Sequence, residues 1–367
     1  MATSATPRRT RVRVGALLGA ALLLALAACG STTPPQGFDR FGAISVQYSW
    51  IKDEQYAGEY YAEDKGYYAE AGFQQVNAIS GPDPTAVSKL VSGKVQVALT
   101  DAVSVGTAVA EQDAKLKIIG ATFQKNPYAI LSLTAGADIK TPAGLKGRRI
   151  GVPDADAAVF KALLAANGLD EKRDRITVVP VGTDPAPLLH RDVDAYMGSI
   201  TDDAPTLQLA GDPVTSLPYA DNGVPYVAEA YTVTDDYLHK NKALLEALMT
   251  AEIKGWGQTF KYSSATDLKV VEAHFEEAAA DKDSVEAGYG TLDPRRTASG
   301  LAAEQRLIST PETRSNGLLT ISPQLQQETV RSLAAAGWQV PPEDLFDTSV
   351  LDAVYRDHPE LKKYGSQ

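Results

Sequence analysis

Short β-branched runs alternate with short helical patterns over most of this chain. That alternation points to α/β architecture more firmly than any single motif does. Ala43 to Tyr48 reads as a first strand, and Tyr56 to Lys65 as a helix closed by Gly66. Pro84 to Ser92 is a second helix ended by Gly93, followed by a strand through Val95, Val97 and Leu99. Lys117 to Ala121 and Ala129 to Leu133 are further strands. The pattern then restarts. A turn, short helix and strand fill Ile139 to Pro153, a helix runs from Ala155 to Ala166, and a strand from Arg175 to Val181. A short helix over Pro185 to His190 and strands at Val193 to Gly198 and Val214 to Tyr219 complete this stretch. Beyond Tyr231 the chain turns helical. Leu244, Leu245, Leu248, Met249, Ile253 and Trp256 fall at helical spacing, and Val330, Leu333 and Trp338 are later core candidates.

The first thirty residues follow a different logic. Arg8, Arg9, Arg11 and Arg13 precede an apolar run from Val14 to Ala28, too short for a membrane span and typical of an export signal. It ends in Leu26-Ala-Ala-Cys29-Gly30, which resembles a bacterial lipobox, and Cys29 is the only cysteine of the chain. A signal peptide over residues 1–28 and a lipidated tether over 29–40, stiffened by Pro34 and Pro35, are therefore expected. Cleavage before Cys29 removes four arginines and no acids, taking the net charge from −11 to −15. An acidic body of that kind argues against a nucleic-acid surface. One cysteine and four scattered histidines leave no disulfide framework and no cysteine-rich metal site. His190, His239, His274 and His358 sit on polar stretches and read as solvated surface.

The most informative segment runs from Trp50 to Tyr68, with one tryptophan and five tyrosines just after the first strand. Ligands of open α/β sheets bind beyond the carboxyl ends of strands, so this segment is placed to wall a pocket. Tyr56 and Tyr60, four residues apart, share a helix face and with Trp50 are candidate stacking surfaces for a flat ring. Tyr61, Tyr67 and Tyr68 read as core packing. Other strand-end candidates are Asp101, Gln124, Asp154, Thr183, Tyr196, Asp202, Asp203 and Tyr226. Asp101 serves equally as a helix cap. Carboxylates beside aromatic rings favour a nitrogen-rich heterocycle over an anion.

Trp50 to Tyr68, with its tryptophan, Ala57-Gly58 and Gly66-Tyr-Tyr68, resembles the solute-binding proteins of ABC importers for thiamine-pyrimidine precursors, riboflavin, nitrate and sulfonates. The likeness continues in order through Ala71-Gly-Phe73, Leu90-Val-Ser-Gly93, Val95-Gln-Val-Ala98 and Gly120-Ala-Thr-Phe-Gln124. It goes on through Leu145 to Pro153, Asp192 to Tyr196, Asp221 to Pro225 and Gly255-Trp256. The resemblance implies a two-lobed periplasmic-binding-protein-like fold of type II, with a two-stranded hinge and a helical C-terminal region. Lobe one would comprise residues 41–135 plus 229–367 and lobe two residues 136–228, with crossings near Leu131–Gly136 and Tyr226–Thr232. It also implies a lipid-anchored extracytoplasmic monomer that captures a small aromatic N-heterocycle between its lobes. Such a protein delivers its ligand to a permease and ATPase, with no catalysis, cofactor or metal. Two departures stand out. Ile51-Lys52-Asp53 follows the tryptophan where the family often has Asn-Pro, and Thr201-Asp-Asp203-Ala-Pro205 stands in place of Asn-Glu-Pro. The alternatives are an alkanesulfonate, nitrate or taurine binder, and an enzyme related to thiamine-pyrimidine synthase. The latter lacks its cysteine-rich motif here.

Overall fold

The computed structural model describes residues 40–81, 83–262, 264–279 and 293–365. The leader, the tether and the lipobox residue Cys29 lie outside the described residues. Residues 37–367 form one compact unit.

Among the described residues, ten strands build two five-stranded sheets. The first contains β1 (Gly42–Gln47), β2 (Phe73–Ile79), β3 (Val97–Thr100), β4 (Leu116–Phe123) and β10 (Ala228–Thr234), in the order β2-β1-β3-β10-β4. The second contains β5 (Tyr128–Leu133), β6 (Arg149–Pro153), β7 (Thr177–Val181), β8 (Ala195–Ser199) and β9 (Val214–Pro218), in the order β7-β6-β8-β5-β9. Each sheet has three parallel strands, and in each the fourth in order runs antiparallel to both its neighbours. These strands read as nearly continuous apolar runs because helices cover both faces. The two α/β halves expected from the alternating pattern are therefore present.

The crossings between the sheets follow from strand membership. β4 belongs to the first sheet and β5 to the second, so the chain first crosses at residues 124–127, earlier than the 131–136 expected from sequence. Leu131 pairs with Tyr196 and Ser216 and is an interior residue of the second sheet. The reason is the short Gln124-Lys-Asn-Pro127 link, which lacks the glycine and proline density that would mark a boundary in the sequence. The return crossing occupies residues 219–227, ahead of β10.

The long helix Lys242–Thr259 packs on the helix Ala57–Asp64, and Leu245, Leu248, Met249 and Trp256 are buried there. At about 25 cal/mol per Å², a ring the size of Trp256 contributes roughly 4–6 kcal/mol as an upper bound. The two helices approach closely because Gly58 faces the Trp256 indole and Gly255 faces the backbone of Gly58. A β-carbon at either position would overlap its neighbour. The helices Pro294–Ile308 and Pro323–Ala336 belong to the C-terminal region. They contact the helices Asp203–Leu209 and Ala157–Ala166 of the second half, tying both halves together.

Candidate functional site

The carboxyl end of β1 leads into Tyr48, Ser49 and Trp50 and then the turn Glu54–Tyr56, which Asp53 caps by accepting from the Gln55 amide at 3.0 Å. That turn brings Tyr56 back onto the strand end. Its ring stacks on Tyr48 with centroids 3.9 Å apart and planes 9° apart. Its hydroxyl accepts from the Trp50 amide at 2.8 Å and lies 2.8 Å from the Ser49 hydroxyl. Ser49 donates to the Glu229 carboxylate at 2.8 and 2.9 Å, and the Gln55 amide joins the same group from 3.2 Å. Glu229 stands at the start of β10, just past the return crossing, with φ of 45°. A glutamate in the left-handed region carries strain of order 1–3 kcal/mol, and such residues cluster at functional sites. β1 and the crossing strand are thus joined at the junction of the two halves.

A second bridge spans the junction. Arg296, on the helix Pro294–Ile308, donates to Glu54 at 2.8 Å and to Asp202, which follows β8. The guanidinium side chain is 11% exposed, and one arginine thereby holds a carboxylate from each half. Around it the acids outnumber the cation. Burial pushes Asp53 up to about 7 against the pull of Arg296. Glu54 and Glu304 are also raised, first by burial and then by neighbouring carboxylates. Asp203 is raised to about 7 by loss of water and by Asp202. Asp156 reaches about 7 by burial and by Asp101 across the junction.

The sequence candidates sort unevenly over this frame. Asp202 meets Arg296, and Asp203 accepts from the Ser199 amide at 2.7 Å. Asp203 and Tyr196 both crowd Gly198, where a β-carbon would stand 2.6 and 2.8 Å from them. Asp101 caps the helix Ala102–Gln112 through Ser104, and its charge is felt by Tyr226 and Asp156. The Gln124 amide donates to Ala121 at the first crossing, and its buried oxygen has no partner. Trp50 is half-buried, and Asp154 and Thr183 are exposed.

Two expectations need correction. Tyr56 is fully buried and acts as a polar brace, with one ring face covered by Tyr48, so it is no open stacking surface here. Tyr60 stacks on His274 at 4.3 Å rather than beside Trp50, and that removes His274 from the solvated surface set. The stacking of helix Ser264–Ala279 on helix Ala57–Asp64, two elements about 200 residues apart, left no trace in spacing. Sequence reasoning also missed Ser49, Gln55, Glu54, Arg296 and Glu229. Glu229 alone had a usable signal, a single acid in the otherwise uncharged Val227-Ala-Glu-Ala-Tyr-Thr-Val233 strand. A cavity of about 270 Å³ lies in the first half, lined by Tyr48, Glu59, Tyr60, His274 and residues 75–78 of β2. The segments that follow β1 and β8 meet at this junction through Arg296, and open α/β sheets bind ligands beyond the carboxyl ends of such strands. Among the described residues, no group of three or more His, Cys, Asp and Glu is arranged to hold a metal ion.

Comparisons with known proteins follow the same lines. The sequence profile described as NMT1/THI5 like matches residues 53–265. A formylaminopyrimidine-binding protein of Halalkalibacterium halodurans is 24% identical over 241 residues, covering 64% of this chain and 71% of that protein. The riboflavin-binding protein RibY of Chloroflexus aurantiacus is 26% identical over 261 residues, covering 66% and 73%. Among solved structures, the periplasmic nitrate-binding protein NrtA of Synechocystis PCC 6803 superposes with a TM-score of 0.61 at 12% identity, over 88% of this chain and 91% of that one. At that identity the likeness establishes the periplasmic-binding-protein fold.

Proposed function

The chain belongs to the NMT1/THI5-like family, and from that membership we propose that it is the extracytoplasmic solute-binding component of an ABC importer. Its ligand is a small aromatic N-heterocycle of the thiamine-pyrimidine or riboflavin kind, held where the two sheets meet. The observation that carries this reading is the charge pattern of the junction. Asp53, Glu54, Glu304, Asp202 and Asp203 share the field of one guanidinium that Glu54 and Asp202 already engage, and Glu229 adds a further carboxylate whose charge is felt by Glu304. Such a site offers acceptors to ring N–H groups and exocyclic amines and repels nitrate or a sulfonate. The curated relatives, named for a formylaminopyrimidine and for riboflavin, support the same class.

The protein works by enclosure, without chemistry of its own. Closing the halves excludes water and strengthens each hydrogen bond to the ligand, and the closed shape is what a permease with its ATPase recognises. Anchoring through a lipidated Cys29 rests on the lipobox-like Leu26-Ala-Ala-Cys29. Titration calorimetry with riboflavin, a formylaminopyrimidine, nitrate and an alkanesulfonate tests the ligand class. Micromolar or tighter binding of a heterocycle is expected, and tight binding of the anions alone overturns it.

A further inference from the structure

The helix Pro294–Ile308 is rooted in the first half. Its Leu301, Leu307 and Ile308 are buried in the core that also holds Ile44, Val46 and Leu99 of the first sheet. The Leu307 carbonyl accepts from the Gln124 amide at 3.0 Å, and Gln305 donates to the Thr259 carbonyl at 2.9 Å. Its first turns also reach the second half. Arg296 and Gly300, four residues apart, share a helix face, and each of them meets both halves. Arg296 donates to Glu54, which follows β1, at 2.8 Å and to Asp202, which follows β8. At Gly300 a β-carbon would overlap Glu54 Oε1 and stand 2.8 Å from the Thr201 carbonyl oxygen. Only a hydrogen at this position lets the helix lie against the turn of one half and the loop of the other.

The two ends of the arginine contact are unequal. The Glu54 side chain is 2% exposed and that of Asp202 24%. Water and salt therefore compete for the Asp202 end far more than for the Glu54 end. That outer end is also opposed, because Asp53 and Glu54 both feel the charge of Asp202. Acids of the two halves repel one another wherever the guanidinium does not stand between them.

We propose that Arg296 and Gly300 form a clasp that holds the two halves together before ligand arrives, parting at Asp202 and staying fixed at Glu54 when the halves open. Every member is a group of this chain, so the clasp needs no ligand to form. The proposal rests on the reading of the chain as a binding protein that encloses its ligand. It adds the resting state of that protein, with the halves engaged and clasp release as the step that admits ligand.

Small-angle X-ray scattering of the ligand-free full chain tests the clasp. Asp202→Ala cuts the exposed end and keeps the Glu54–Arg296 pair. The Asp202 side chain makes no capping hydrogen bond to the helix Asp203–Leu209, so that helix is retained. A larger radius of gyration than that of the parent chain is expected at low salt, with the parent value restored by Asp202→Glu. Gly300→Ala should expand the chain in the same way, since the Thr201 carbonyl is backbone and cannot swing aside as a side-chain end can. Raising the ionic strength from about 0.01 M to about 1 M shortens the Debye length from roughly 30 Å to 3 Å. The parent chain should expand over that range while Asp202→Ala does not, a response that packing alone would not give. Should Gly300→Ala fail to fold, Asp202→Ala and the salt series carry the test. Equal radii for the parent chain and Asp202→Ala at low salt overturn the clasp, as does a salt response that Asp202→Ala shares. The measurement uses no ligand, so a wrong cargo leaves the clasp standing, and a failed clasp leaves the cargo to the calorimetry.

Discussion

Ser49 and Glu229, separated by 180 residues, are joined by a hydroxyl donating to a carboxylate at 2.8 and 2.9 Å. That contact ties the end of the first strand to the strand returning from the second half, with Tyr56 and Gln55 as its other members. Tyr56→Phe removes the acceptor of the Trp50 amide along with the contacts to Ser49 and Gln55. A loss of about 1–3 kcal/mol in urea unfolding is expected, with the fold retained. An unchanged midpoint would mean the network is not formed in solution.

Arg296→Ala leaves Glu54 buried without its cation. The expected destabilisation is about 3–5 kcal/mol near neutral pH. The deficit should shrink at pH 5, where Glu54 and Asp53 protonate more readily than they do beside the guanidinium. Chemical denaturation of the variant at pH 5 and pH 8 checks both the size and the trend.

Gly58→Ala places a methyl group into the Trp256 indole, at a point where Gly255 of the same neighbouring helix already lies against the Gly58 backbone. Overpacking of about 1–3 kcal/mol follows, because neither helix can withdraw without exposing buried leucines. A thermal melt of the variant reads this directly, and an increase in melting temperature would contradict the packing described.

Four carboxylates, Asp53, Glu59, Asp156 and Asp203, are raised to about 7 in the folded chain. Their unfolded values lie near 4. The folded state therefore binds more protons between about pH 4 and 7, and stability falls as pH rises through that window. Part-exposed carboxylates with lowered values, such as Asp138 and Asp293, act in the opposite sense only below about pH 4. The ligand-free chain should melt at higher temperature at pH 5.5 than at pH 8, measured at constant ionic strength. The reverse order would show that these acids are ionised in the folded protein.

Trp50 is half-buried beside the junction, and Trp50→Ala should reduce affinity for the heterocycle at least tenfold while the ligand-free melting temperature moves little. A large fall in that temperature would instead make the indole a structural support.

What the sequence disclosed was whatever is written locally. Strand and helix periodicity, the stop at Gly66 and the apolar face from Leu245 to Trp256 all depend on neighbours a few residues apart. Asp202 and Asp203 could be singled out because they follow a strand closely. Ser49 with Glu229, Glu54 with Arg296 and Tyr60 with His274 are separated by 174 residues or more of chain in related contacts, and no spacing rule reaches that far. The misplaced first crossing has a similar origin. A strand buried in either sheet shows the same apolar run, so the sequence of β5 does not say which sheet receives it.

The position of β10 between β3 and β4 has a consequence for the order of events during synthesis. All five members of the second sheet are contiguous between residues 128 and 218 and are complete before β10 emerges. The first sheet, though four of its strands come earlier, stays split until that late strand inserts, and its loop closure spans more than a hundred residues of chain. The half that begins later is thus the one able to finish first.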